Sequence, residues 1–234
     1  MSCLPKGKVA VILPAAGSGQ RFGASENKLF SDLAGEPLWV HSVRRLGCRS
    51  EVGRVILAVA NQDLATFRAQ LSDYDLGCSV DIVEGGAERV DSVKAAMSLL
   101  DTDASLEWVA VHDAARPLIS QADLDRVFSA VAKTGAAILA SPVSGTLKRD
   151  FGDRQCCETV DRRNLWVALT PQVFRLGLLK QAYAKHNGCP ATDDAQLVER
   201  LGYEITLVHG SATNLKVTFP EDLLLAEAIL AQKK

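Results

Sequence analysis

Short apolar, β-branched runs alternate with longer stretches of helical period along most of this chain. The first run, Val9-Ala10-Val11-Ile12-Leu13, holds no polar residue and ends at a glycine-rich turn, which predicts a strand buried on both faces. Further strands are predicted at residues 54–59, 80–83, 108–111 and 136–140. Helices at residues 37–46, 63–71, 91–100 and about 121–133 fall between and behind them. Strands alternating with helices in this order predict an α/β fold, a mostly parallel sheet covered by helices on both faces.

The alternation breaks between residues 142 and 170. Helical period is lost there, Ser144-Gly145-Thr146 and Gly152-Asp153 interrupt the pattern, and two strand-like pieces follow at 158–160 and 165–167. The stretch reads either as a hairpin leaving the sheet or as a long loop, and long irregular segments inside compact domains usually serve function. A helix near 193–201, a strand at 203–208 and a helix at 220–231 close the chain. With no internal repeat or Pro/Gly linker, the reading is a single domain over residues 1–234 with one excursion at 142–170.

Composition narrows the function classes. A net charge of −2 gives no basic surface for nucleic acid or membrane, so any positive counterpart to an anionic substrate has to be local. The cysteines at positions 3, 48, 78, 156, 157 and 189 form no CxxC pair and predict reduced thiols in a cytoplasmic protein. The run from Val9 to Leu13 is too short for a signal peptide or a membrane span.

The first strand leads into Pro14-Ala15-Ala16-Gly17-Ser18-Gly19-Gln20-Arg21. Small residues let the backbone turn tightly and bring its N–H groups against phosphate oxygens. The dinucleotide fingerprint GxGxxG fails at Phe22, and the Walker loop GxxxxGK[ST] is absent. What remains is GxGxR with Lys28 seven residues beyond Arg21. Two cations beside a bound triphosphate suit nucleotidyl transfer, where negative charge grows at the α-phosphorus as pyrophosphate leaves. A plain glycine turn with two solvated basic residues reads almost as well from this loop alone.

Two more segments follow strands and open on the same carboxyl edge, where such sheets bind ligands. Gly85-Gly86-Ala87-Glu88-Arg89-Val90-Asp91-Ser92-Val93 offers backbone groups and the Ser92 hydroxyl to the polar edge of a base. His112-Asp113-Ala114-Ala115-Arg116-Pro117 offers an acid for an ion or sugar hydroxyl and an arginine for phosphate. Asp113 could equally pair with Arg116, and His112 is given no proton-transfer role. Thr146-Leu147-Lys148, Thr159-Val160-Asp161-Arg162, Thr170-Pro171-Gln172 and Asn214-Leu215-Lys216-Val217-Thr218 add hydroxyls and cations.

Together these segments resemble the 2-C-methyl-D-erythritol 4-phosphate cytidylyltransferase family across about residues 9–230, through PAAGxGxR, GGxxRxxSV, VHDAARP, TVDR with LW following, TPQ, and NxKVT with PEDL following. The resemblance implies a three-layer, Rossmann-like nucleotidyltransferase sheet with a projecting β-arm at 142–170. It also implies transfer of CMP from CTP to methylerythritol phosphate, with Mg2+ carried mainly by the triphosphate and no protein metal site. Pro14, Ala15, Ala16, Gly17, Ser18 and Gly19 would line CTP, Gly86, Ala87 and Ser92 would recognise cytosine, and Arg21, Lys28 and Lys216 would stabilise the reacting phosphates. Asp113, Ala114, Arg116, Thr146, Arg162 and Thr170 would hold the acceptor. The arm implies a homodimer in which Thr146 and Arg162 serve the other subunit's site. A ribitol-5-phosphate cytidylyltransferase and a non-catalytic nucleotide-binding protein are the alternative readings. Two positions depart from the family pattern. Asn27-Lys28-Leu29 stands where Pro-Lys-Gln is common, which bears on loop stiffness, and Ala87 stands where some members carry an acid.

Overall fold

In the computed structural model, residues 4–17, 22, 27–152 and 157–232 are described. The central sheet is built from β1 (Val9–Ala15), β4 (Val52–Val59), β5 (Val80–Glu84), β6 (Trp108–Val111), β7 (Ala136–Pro142), β10 (Trp166–Arg175) and β11 (Thr206–His209). Two small hairpins complete the strands, β2 (Asp32–Leu33) with β3 (Glu36–Pro37) and β8 (Leu147–Asp150) with β9 (Cys157–Val160). The central order is β11-β7-β10-β6-β1-β4-β5, parallel throughout except for β10, which runs antiparallel between β6 and β7.

The period of two in β1 shows why its run carries no polar residue. Val9, Val11 and Leu13 enter one core while Ala10 and Ile12 enter the other. Full burial of each such side chain contributes roughly 1.5–3 kcal/mol, so both faces select apolar residues. The first core packs beneath α1 (Leu38–Gly47), α2 (Leu64–Leu71), α4 (Gln121–Thr134) and α7 (Pro220–Ala231). The second packs beneath α3 (Arg89–Ser98), α5 (Leu176–Ala184) and α6 (Asp194–Glu199). These are the three layers that the alternation predicts.

Several boundaries differ from those the sequence pattern predicts. The third helix starts at Arg89 rather than Asp91, because Asp91 accepts from the Glu88 N–H and closes a capping box. The last strand runs Thr206–His209, later than the 203–208 expected. Helix α5 was not expected at all, although Leu176, Leu179, Ala182 and Tyr183 carry its period. Strand β10 is ten residues long where only 165–167 was expected. Pro171 argues against a central strand, since it cannot donate to a ladder. A register shift between Ala168 and Gln172 resolves the conflict by lifting Leu169, Thr170 and Pro171 out of the pairing.

Beyond Pro142 the chain forms the β8–β9 hairpin, which among the described residues makes no ladder with the central sheet. Its side chains are mostly solvent-facing, and Phe151, Leu165, Trp166 and Val167 are exposed apolar residues at its tip and base.

Candidate functional site

Strands β1, β4 and β5 run outward to one side of β1, and β6 returns to the other. The carboxyl edge between β1 and β6 is therefore the topological switch point, where open α/β sheets form a crevice. A cleft of about 480 Å³ lies there. It is lined by Pro14, Ala15, Ala16 and Gly17 after β1, by Gly86, Ala87, Glu88, Arg89 and Ser92 after β5, and by Asp113, Ala114 and Ala115 after β6. Lys28, Leu29, Lys216 and Thr218 close it. Five segments of the sequence thus meet around one space.

The glycines after β5 are set by close approach. A Cβ at Gly85 would lie 2.8 Å from the Ala16 methyl, and one at Gly86 would lie 2.2 Å from the Asp91 Cβ. A side chain at Gly85 would force the loop away from Ala16, and one at Gly86 would clash with the first turn of α3. Ser92, almost fully buried, turns its hydroxyl back to the Glu88 carbonyl at 3.2 Å.

Asp113 is the electrostatic centre of the floor. Its carboxylate meets Lys216 Nζ at 3.0 Å, Arg116 Nε at 3.3 Å and Arg89 Nε at 3.5 Å. Burial opposes its ionisation, yet the fields of Lys216, Arg89 and Arg116 override that and hold the carboxyl far below the usual carboxylate range. Arg89 is shared with Asp194, whose carboxylate lies 2.7 Å from its Nη1 and accepts from the Tyr183 hydroxyl at 2.5 Å. Among the described residues no group of three His, Cys, Asp or Glu side chains gathers to hold a metal ion.

The strand-end residues beneath Asp113 are locked by hydrogen bonds. The Thr170 hydroxyl accepts from the Asp113 N–H at 3.1 Å and lies 3.1 Å from His112 Nδ1, so it donates to that nitrogen. His112 Nε2 is 3.0 Å from the Arg116 carbonyl and donates to it, which makes the ring a neutral Nε2–H tautomer. Burial pushes its pKa down to about 4, against the opposing hydrogen bond to Arg116. An unfolded histidine titrates near 6.5, so the unfolded chain takes up this proton first as pH falls. The contribution of His112 is whole above about pH 6.5 and is lost as pH falls toward 4. Denaturant melts should show the unfolding free energy falling more steeply across that window in wild type than in His112→Gln; equal slopes would refute the assignment.

The Asn214–Thr218 segment is stitched across the same loops. Asn214 Nδ2 donates to the Thr170 carbonyl at 2.7 Å, Arg116 Nη1 to the Asn214 carbonyl at 2.9 Å, and Val217 N to the Ala115 carbonyl at 2.9 Å. Lys28 reaches over from the β1 side, with Nζ 2.8 Å from the Val217 carbonyl.

Of the residues singled out from sequence, Pro14, Ala15, Ala16, Gly17, Lys28, Gly86, Ala87, Ser92, Asp113, Ala114 and Lys216 come together at the cleft. Arg116 and Thr170 sit behind Asp113 rather than on the cleft wall. Thr146 and Arg162 lie on the hairpin, exposed, and line no part of this chain's cleft; Arg162 donates to the Ser144 carbonyl. Ser18, Gly19 and Arg21 lie outside the described residues. Sequence reasoning gave no role to Arg89, Thr218 or Asp194. Arg89 carried a readable signal, a cation at the start of a helix on the ligand-binding edge.

Comparison with known proteins bears on this geometry. The model of the 2-C-methyl-D-erythritol 4-phosphate cytidylyltransferase family matches residues 9–232. A protein of that name from Rhodopirellula baltica is 54% identical, over 95% of this chain and 94% of its own. Another from Bacillus velezensis is 42% identical over 94% of each. The crystal structure of the Thermus thermophilus protein of the same name superposes with a TM-score of 0.75 at 35% identity, covering 96% of this chain and 99% of that one.

Proposed function

The chain belongs to the 2-C-methyl-D-erythritol 4-phosphate cytidylyltransferase family, and from that membership we propose how its cleft carries out the reaction. It transfers CMP from CTP to 2-C-methyl-D-erythritol 4-phosphate, giving 4-diphosphocytidyl-2-C-methyl-D-erythritol and pyrophosphate. A phosphate oxygen of the acceptor forms a bond to the α-phosphorus, and the bond from that phosphorus to the bridging oxygen of the β-phosphate breaks. The acceptor phosphate is largely ionised at neutral pH, so no general base is needed.

The observation that carries this reading is the meeting of Lys28 and Lys216 on one cleft with the Pro14–Gly17 turn and the Gly86–Ser92 loop. The turn, continued by Ser18 and Gly19, cradles the triphosphate. Gly86, Ala87 and Ser92, which line the same cleft, read cytosine and help exclude purines. Lys28, Lys216 and Arg21 neutralise charge as it grows at the α-phosphorus. Asp113 and Ala114 form the floor of the acceptor site, with Arg116 and Thr170 fixing Asp113 from behind.

A Mg2+ ion fits this donor set only as a passenger on the nucleotide, because Asp113 is already engaged by three cations. Bound to the triphosphate it would neutralise charge and orient the leaving pyrophosphate. CTP-dependent pyrophosphate release tests the whole reading, run with methylerythritol phosphate and ribitol 5-phosphate as acceptors and with ATP, GTP and UTP in place of CTP. Preference for CTP and methylerythritol phosphate supports it. Faster turnover of ribitol 5-phosphate overturns the acceptor assignment.

The reading extends to a cytoplasmic homodimer of single-domain subunits. The exposed hairpin, with its apolar tip and base, reaches over a second subunit, so that the acceptor phosphate in each site meets Thr146 and Arg162 of the partner subunit. Mixing two inactive variants tests this. A dimer of one Lys28→Ala and one Arg162→Ala subunit has one intact composite site, so a remixed equimolar population should recover about a quarter of wild-type activity. No recovery in a population shown to exchange subunits would place Arg162 in its own chain's site.

A further inference from the structure

We propose that Asn27 is a positioning residue, holding the Lys28 turn at the cleft through a hydrogen bond to Asp63. The proposal rests on the reading of Lys28 as a charge stabiliser.

Lys28 stands at the start of a single 3-10 turn, Lys28–Phe30. Two apolar side chains root that turn: Leu29 is buried, and Phe30 packs on Phe67 of α2 with ring centroids 4.7 Å apart. A further, polar constraint acts at the residue directly before Lys28. Asn27 supplies that constraint with both ends of one amide. Its Oδ1 accepts from the Leu29 N–H at 3.0 Å, and its Nδ2 donates to Asp63 Oδ2 at 2.8 Å. Its carbonyl also accepts from the Phe30 N–H at 2.9 Å.

Asp63 is well placed to serve as the anchor. It ends a short turn directly after β4, on the same carboxyl edge as the cleft, and its N–H is fixed to the Ala60 carbonyl at 2.9 Å. The clamp therefore ties the Lys28 turn to the frame of the sheet. Asn27 has φ of −63°, the value a proline ring imposes. A displacement near 1 Å at a charge-stabilising group can cost on the order of 100-fold in rate, so a positioning effect falls on turnover and spares nucleotide affinity.

The test exchanges the two partners. Asn27→Asp keeps the cap on Leu29 but sets two carboxylates against each other, and should lower kcat about tenfold or more while CTP affinity stays within about threefold. Asn27→Asp combined with Asp63→Asn restores a donor and an acceptor in reversed order, and should return kcat to within about threefold of wild type. Asp63→Ala should lower kcat in the same sense, which covers the case of a double variant that folds poorly. Thermal melts of every variant separate loss of position from loss of fold. Wild-type kcat in Asn27→Asp, or a loss that the folded double variant does not recover, overturns the proposal. Absence of turnover in the wild-type protein would instead overturn the assignment of the reaction.

Discussion

Lys28→Ala should lower kcat by at least about 100-fold while weakening CTP binding only a few fold. The cause lies in when the charge develops. In the proposed nucleotide complex the triphosphate charge is spread over many oxygens and shared with backbone N–H groups of the Pro14–Gly17 turn. At the pentacovalent α-phosphorus it concentrates on the oxygens that a cation reaching across the cleft can meet. Lys28 is already oriented across that space, with Nζ 2.8 Å from the Val217 carbonyl on the opposite wall. Its contribution is therefore larger in the transition state than in the nucleotide complex. Single-turnover pyrophosphate release gives the first quantity, and equilibrium binding of a non-transferable CTP analogue gives the second. Matching losses in both would mean that Lys28 binds ground state and transition state alike. Arg21→Ala should follow the same pattern, since both cations flank the same loop in the sequence.

The sheet was legible wherever a strand is buried on both faces. Val9–Leu13 and the core of β4 contain nothing but apolar residues, because each of their side chains enters one core or the other. Strand β10 was not legible for the opposite reason. Its bulge at Leu169–Pro171 carries a proline and turns a threonine toward Asp113, so the local pattern obeys the site and not the ladder. Strand β8 hid likewise, because Lys148, Arg149 and Asp150 are exposed and the apolar alternation of a half-buried strand is missing. In the site, the small residues after β1 and β5 were readable because tight turns at the carboxyl ends of strands demand them. The link from Arg89 to Asp194 was not, because 105 positions separate two residues that meet only in the fold, where α3 and α6 contribute to the same core.

That link should make Arg89→Met the most destabilising single change at the site. Arg89 holds two carboxylates, Asp113 at 3.5 Å and Asp194 at 2.7 Å, and Asp194 is only 1% exposed. Removing one partner of a buried pair leaves an uncompensated charge, a loss of about 3–5 kcal/mol. Lys216 and Arg116 remain for Asp113, so the larger share of the loss comes from Asp194, which keeps the Tyr183 hydroxyl alone. Acid separates this from a simple packing defect. In wild type the Asp113 carboxyl is held far below its unfolded value, so its contribution is present above about pH 4 and is lost as pH falls further. Without Arg89 that depression is smaller, and less stability remains to be lost. The gap between wild type and Arg89→Met should therefore narrow on going from pH 7 to about pH 2. Adding Asp194→Asn to Arg89→Met should recover part of the loss at pH 7, because the stranded charge is gone. Denaturant melts of the three proteins at both pH values measure all of this. A pH-independent gap with no recovery in the double variant would mean that Arg89 matters for its packing and not for its charge.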